Sequence, residues 1–164
     1  APVVWNAEED NLASVLADVE KKYSDINIKE NIAGFKTQYY LKKKNYPAFK
    51  EAVESYIASE NGKVDPSVLN SFAWSIFENC DDPACVEAAL SWSKKSIENN
   101  EDPALLDTYA NLLHKAGKTK EAIEWQEKAI AKADADSKVD YQATLEKMKK
   151  GEPTWVKEEE LLIN

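Results

Sequence analysis

The chain of 164 residues contains no arginine, so all 21 of its basic residues are lysine, against 30 acidic residues. The planar guanidinium of arginine is the preferred group for bidentate recognition of phosphates and base edges. The formal net charge of −9 adds a surface that repels phosphate backbones and anionic lipid. The composition therefore predicts that nucleic acid is not a partner.

Long apolar runs are also missing, because no stretch approaches the roughly 20 residues that a membrane-spanning helix needs. Glycine and proline are scarce, with four and six residues, which favours helices joined by short connections. The 43% hydrophobic and 31% charged residues are typical of a globular protein. We expect a single domain over residues 1–164 without membrane insertion.

Catalytic and metal-binding motifs are missing as well. The chain has no glycine-rich phosphate loop, no ligand set at metal spacing and no nucleophile–base pair. Its single histidine, His114, lies near a predicted helix end, where the helix dipole favours a cation. We therefore expect no enzyme activity, no cofactor and no bound metal.

Helix signals cover most of the chain. Three Asp-Pro pairs, at 65–66, 82–83 and 102–103, combine an N-cap with a proline at the first helical position. Gly117 is a natural helix end, and Ser137 resembles the start of a last helix. Together with apolar spacing, these signals predict an all-α chain of about eight helices, over about 7–23, 29–43, 46–60, 66–79, 83–98, 103–116, 119–133 and 137–150.

A repeat links two helix pairs. Residues 88–97 read AALSWSKKSI and residues 121–130 read EAIEWQEKAI, with four identical positions at an offset of 33. The preceding helices align at an offset of 37, so the earlier unit carries four extra residues near 79–82. Trp92 and Trp125 occupy equivalent positions beside small residues, which predicts that both pack between helices. A period of this length is typical of stacked helical arrays.

Residues 103–134, PALLDTYANLLHKAGKTKEAIEWQEKAIAKAD, closely resemble a tetratricopeptide repeat (TPR). Residues 66–98 form a weaker copy, and residues 30–60 a degenerate one in which Phe49 replaces the small alanine. The resemblance implies a TPR-like α–α superhelix of antiparallel helix pairs, a capping helix over 137–150 and a tail over 151–164. It also implies a non-catalytic interaction scaffold that holds a protein or peptide.

The same resemblance implies which residues face the concave groove. They come from the first helix of each pair: Asn70, Trp74 and Phe77, then Asp107, Asn111 and His114. Aromatic and amide side chains can bind an extended peptide by stacking and backbone hydrogen bonds. Burial of Trp74 by the preceding helix pair is the alternative interpretation. The TPR subgroup that clamps a terminal carboxylate is not expected, because its lysine is missing and Asp107 would repel a carboxylate.

A narrower resemblance covers residues 64–132, and above all LNSFAWSIFENCDD from Leu69 to Asp82. This region is similar to the helical part that follows the thioredoxin-like domain in Bacteroidetes envelope proteins. It implies an alternative function, as an accessory module of an envelope redox protein, and favours a periplasmic or envelope location over the cytoplasm. The chain starts at Ala1 without methionine, so we expect a processed or trimmed product.

Two further features leave alternatives open. Cys80 and Cys85 either form a disulfide, with about 2 kcal/mol of stabilisation, or are two unrelated thiols. The tail carries Trp155 and the apolar run 161–163, which either dock back on the array or protrude into a neighbouring molecule and cause self-association. The charged runs 42–44 and 158–160 are expected to be solvated surface.

Overall fold

The computed structural model describes residues 9–23 and 28–156, and within them it contains eight α-helices and no strand. The predicted all-α class is confirmed. The helices α2 to α7 begin at the residues predicted for them, whereas residues 7 and 8 lie outside the described part. In chain order the helices are α1 Glu9–Lys22, α2 Lys29–Lys42, α3 Tyr46–Ser59, α4 Pro66–Asn79, α5 Pro83–Ser96, α6 Pro103–Lys115, α7 Thr119–Lys132 and α8 Ala135–Lys150.

The three Asp-Pro pairs start α4, α5 and α6, as predicted. The carboxylate of each aspartate accepts a hydrogen bond from the amide two residues on, at 2.8 Å for Asp65 and Asp82 and 2.9 Å for Asp102. Each carboxylate thus satisfies one of the amides that the first turn leaves without a helical partner.

The start predicted for α8 is wrong by two residues. The Asp134 carboxylate accepts a hydrogen bond from the Ser137 amide at 2.8 Å, so Asp134 is the N-cap and Ser137 lies inside the first turn. An aspartate and a serine are comparable caps, and the aspartate that comes first in the chain starts the helix here.

Gly117 ends α6 as predicted, with a φ of +81°. The amide of Lys118 donates to the Leu113 carbonyl at 2.8 Å, and that of Gly117 donates to the His114 carbonyl at 3.0 Å. This pair of bonds is a Schellman motif, which reverses the chain sharply into α7.

The chain folds as two compact units, residues 1–61 and residues 62–164. In the second unit, α4 packs on α5, α6 packs on α7, and α7 packs on α8. Helix α6 also packs against both α4 and α5. The two repeated helix pairs therefore pack on each other within one unit.

Equivalent positions of these two pairs are buried alike. The small residues are completely buried in both pairs: Ala73, Ala89 and Ser96 in the first, and Ala110, Ala122 and Ala129 in the second. Trp92 is buried, and Trp125 lies edge-on against Tyr109 of α6 with 5.2 Å between ring centroids. Both tryptophans are packing residues, as predicted, because small neighbours leave room for an indole.

The first unit contains α1, α2 and α3. Leu12 and Leu16 of α1 pack against Ile32 and Tyr39 of α2, and α2 packs on α3. Phe49 of α3, the residue that replaces the small alanine, is 1% exposed. An apolar cleft of about 540 Å³ lies between α1 and α2, and Val15, Val19, Ile28 and Phe35 are among its lining residues.

Candidate functional site

Asn70 and Trp74 lie one turn apart on α4, so their side chains share a face of that helix. Both are half-buried. They are the two α4 residues of the predicted groove that keep exposed surface, and the remaining predicted residue of this helix, Phe77, is only 2% exposed.

Asn70 lines a polar cleft of about 390 Å³ between the N-terminal ends of α4 and α6. We call it the Asn70 cleft. Its lining residues are Asp65, Pro66, Ser67, Asn70, Ser71, Asn100, Asp102, Ala104 and Leu105. The Oδ1 atom of Asn70 is buried and has no hydrogen-bond partner among the described residues. A buried carbonyl oxygen without a partner is costly, so a rotation of the Asn70 side chain that brings this atom to a donor in the cleft is favourable.

The Asn70 cleft has a negative rim. Asp65 and Asp102, the caps of α4 and α6, both contribute to it. Hydrogen bonds from Ser67 lower the pKa of Asp65 below its usual value, so that carboxylate keeps its charge at acidic pH. Two carboxylates and one free carbonyl oxygen make a site for donors and cations rather than for anions.

Trp74 continues this face toward the end of α4. Its ring contacts that of Phe77, with centroids 4.7 Å apart and planes inclined by 32°. Because Phe77 is almost fully covered, it supports Trp74 from beneath, and Trp74 carries the aromatic surface available to a partner.

The predicted groove residues Asp107 and Asn111 of α6 are engaged within the protein. The Asp107 carboxylate accepts from Gln126 Nε2 at 2.7 Å, and Asn111 Nδ2 donates to the Asp107 carbonyl at 2.9 Å. Gln126 Nε2 also donates to the Tyr141 carbonyl at 3.2 Å, so one amide joins α6, α7 and α8. Burial raises the pKa of Asp107 to about 6.

His114, the sixth predicted residue, is 6% exposed and contacts the C-terminal tail. Its Nε2 atom lies 2.8 Å from the carbonyl oxygen of Glu152, and its Nδ1 atom lies 3.0 Å from Thr119 Oγ1. A carbonyl only accepts, so Nε2 carries a proton in this arrangement.

Trp155 docks back on the array, which is one of the two outcomes predicted for the tail. Its ring lies edge-on to Phe77 at 6.3 Å and to His114 at 5.7 Å between centroids. Lys115 Nζ lies 5.4 Å from the Trp155 centroid and 5.6 Å from the Phe77 centroid. We call Phe77, His114 and Lys115 the Trp155 seat. The apolar run 161–163 and the acidic run 158–160 lie outside the described residues.

Lys115 and Trp155 are site residues that the groove prediction did not include. The Lys115 ammonium donates to the Phe77 carbonyl at 2.7 Å and pairs with Asp81 at 2.8 Å, while its side chain is only 3% exposed. A lysine at the end of a helix normally indicates only a favourable dipole interaction. The one sequence feature that relates to this contact is that Phe77 and Trp155 are both aromatic, but they lie far apart in the chain.

Cys80 and Cys85 are both buried free thiols. Burial, together with a hydrogen bond to the Cys85 side chain, raises the pKa of the Cys80 thiol to about 12. A thiol with so high a pKa is a poor nucleophile at neutral pH. The disulfide stays a prediction, which mass measurement with and without reductant checks.

Among the described residues, no group of three or more histidine, cysteine, aspartate or glutamate side chains is placed to hold a metal ion. Within the same part of the chain, no helix has the length and apolar character to cross a membrane. Comparison of the chain with family models, curated proteins and solved structures finds no match.

Proposed function

We propose that the chain is a non-catalytic interaction scaffold, and that its second unit is a TPR-like array which binds an extended peptide across α4 and α6. The observation that carries the proposal is Asn70 Oδ1, a buried acceptor without a partner among the described residues, at the wall of an open cleft. A peptide amide is a suitable donor, because extended peptides are recognised through their main-chain hydrogen bonds.

The aromatic surface next to the cleft supports this assignment. Trp74 lies one turn from Asn70 and rests on Phe77, so a bound peptide meets an amide acceptor and then an indole face. Exposed tryptophan held by a buried neighbour is a frequent energetic centre of protein interfaces.

Charge defines the partner more closely. The rim carboxylates of Asp65 and Asp102 and the net charge of −9 favour a basic peptide over an acidic one. This partner chemistry agrees with the rejection of the carboxylate-clamp subgroup, whose groove is basic.

The TPR-like arrangement is supported by packing. The first helices of the two pairs, α4 and α6, contact each other, and the second helix of each pair packs on its own first helix. In an array of that kind the first helices share one side, and we expect Asn70 and Trp74 to lie on that side.

Selection from a random peptide library, followed by affinity measurement, tests the proposal. We expect selected peptides to be rich in lysine and arginine, and to bind more weakly as salt is raised. The substitutions Asn70→Ala and Trp74→Ala should each weaken binding about tenfold or more, as typical for interface centres.

Val139→Ala is the matched control, because Val139 is 65% exposed on α8 and takes no part in the cleft. Peptides that bind the Trp74→Ala and Asn70→Ala variants as tightly as the unaltered chain would contradict the proposed site. Circular dichroism of each variant separates loss of binding from loss of fold.

A further inference from the structure

The tail crosses from α8 to the face formed by α4 and α6. Gly151, with a φ of +70°, ends α8, and the Glu152 amide donates to the Lys147 carbonyl at 2.9 Å. This turn sends the chain back over the array, where the Glu152 carbonyl meets His114 and Trp155 enters its seat.

The contacts made by the tail are those of a bound peptide. One main-chain carbonyl accepts a hydrogen bond from a buried ring nitrogen, and an aromatic side chain three residues on lies against Phe77 and the Lys115 ammonium. Main-chain hydrogen bonds combined with a pocket for one side chain are how extended peptides are recognised. A cation beside an indole ring adds attraction that is specific for aromatic residues.

The seat supports Trp155 without enclosing it. Trp155 is only half-buried, and the next residue, Val156, is 54% exposed. The hydroxyl of Thr154 is buried and has no hydrogen-bond partner among the described residues. This docked segment therefore leaves a polar group unsatisfied, which makes its replacement by a better-matched segment favourable.

The Trp155 seat is also continuous with the proposed peptide face. The Phe77 ring lies near both Trp155 and Trp74, with centroid distances of 6.3 and 4.7 Å, and Trp74 lies one turn from Asn70. An extended peptide that starts at the Asn70 cleft and runs along α4 therefore reaches the position that the tail occupies.

We propose that the segment Glu152–Trp155 acts as an intramolecular ligand of this face. The Trp155 seat would then also bind an extended segment of another protein, in which an aromatic residue follows three positions after the residue whose main-chain carbonyl accepts from His114. This inference rests on the proposed peptide-binding function and specifies the partner at the α4 C-terminal end of the same face. A partner that uses the full face displaces the tail, so the tail competes with it.

A peptide of the chain's own sequence, acetyl-GEPTWV-amide for residues 151–156, tests the inference. It is titrated into isotopically labelled full-length chain carrying Trp155→Ala, and the amide resonances of Phe77, His114 and Lys115 are followed. We expect saturable shifts at these three residues at millimolar peptide. The unaltered chain should need at least about twofold more, because a tethered tail at millimolar effective concentration competes with a peptide of millimolar affinity.

Two controls define the result. The peptide with alanine in place of tryptophan should produce no saturable shift, whereas Val139→Ala in the Trp155→Ala background should leave peptide binding unchanged, because Val139 is 65% exposed on α8. The two proposals can fail separately, because the library selection tests Asn70 and Trp74 whereas the tail peptide is followed at Phe77, His114 and Lys115.

If Trp155→Ala disturbs the fold, a full chain with a protease site inserted after Gly151 replaces it, since the tail is then released after folding. No saturable shift with either protein, or equal affinity with and without the tail in place, would overturn the inference. Those outcomes would make Glu152–Trp155 a structural cap of the array.

Discussion

Lys115 carries a charge at a position where only 3% of its side chain is exposed. Four groups compensate its burial: the Phe77 carbonyl, the Asp81 carboxylate and the aromatic rings of Phe77 and Trp155. The ammonium at the end of α6 therefore contacts both the end of α4 and the tail. Lys115 is for this reason the central residue of the Trp155 seat.

Lys115→Met is expected to destabilise the fold by about 1–3 kcal/mol, because it keeps the apolar stem but leaves the Phe77 carbonyl without its donor. Lys132→Met is the matched control. Its ion pair with Glu101, at 2.6 Å, is exposed on both sides, and exposed pairs contribute little. Chemical denaturation of both variants measures the difference, and equal stabilities would show that the buried contacts of Lys115 carry no free energy.

The raised pKa of Asp107 predicts that the stability of the fold depends on pH. Its folded pKa is about 6, above the roughly 4 of an unfolded aspartate, so the folded chain binds the proton more tightly. The resulting stabilisation is complete below about pH 4 and is lost as pH rises through 6.

Asp107→Asn removes the buried charge and keeps an acceptor for Gln126. We therefore expect it to raise the free energy of unfolding by roughly 1–3 kcal/mol at pH 8 and by much less at pH 4. Denaturation at the two pH values checks this, with Asp18→Asn, on the exposed surface of α1, as the control. A stabilisation of the same size at both pH values would contradict the raised pKa.

At the scale of the elements, the helix ends are set by short-range chemistry. The caps Asp65, Asp82, Asp102 and Asp134 each bond an amide within three residues, and Gly117 and Gly151 end their helices with positive φ. Such signals act over one turn, so the first residues of α4 to α6 were predictable from their aspartate caps. Helices α2 and α7 have no side-chain cap, and their starts followed from apolar spacing.

We expect two glycine-to-alanine substitutions, one at the end of α6 and one inside α2, to change the stability of the fold in opposite directions. Gly117→Ala should destabilise by about 1 kcal/mol, because φ is +81° there and a Cβ would meet no atom within 4 Å, so the cost is one of backbone conformation. Gly34→Ala, inside α2 and equally free of neighbours, should stabilise by roughly 0.5–1 kcal/mol. Thermal denaturation of both variants checks the signs, and a stabilising Gly117→Ala would exclude a left-handed helix end at that residue.

At the scale of the whole molecule, the chain consists of two compact units. The prediction of a single domain over 1–164 was based on chain length, which carries no information on how contacts are distributed along the chain. It stays a prediction. Every helix from α4 to α8 packs on another helix of the second unit, and that unit contains both repeated pairs.

We therefore expect a fragment of residues 62–164 to fold by itself. Circular dichroism should show a helical spectrum and a cooperative thermal transition, because the buried positions of both helix pairs are filled within the fragment. A matched fragment that ends at residue 151 retains the five helices and removes the tail. An unfolded 62–164 fragment would show that its core depends on residues 1–61.

Sequence alone determined the helical class, the first residues of α2 to α7 and the equivalence of the two pairs, because caps and apolar periodicity are local and repeats are visible by alignment. Only the tertiary structure decided that Phe77, Asn111 and His114 are buried, that the Lys115 ammonium lies near the rings of Phe77 and Trp155, and that Trp155 docks on α4 and α6. The hydrogen bonds of His114 with Glu152 and of Lys115 with Phe77 each join residues 38 positions apart, which no periodicity or cap encodes. The groove residues predicted from the resemblance lie on α4 and α6, and the tail contacts two of them, Phe77 and His114.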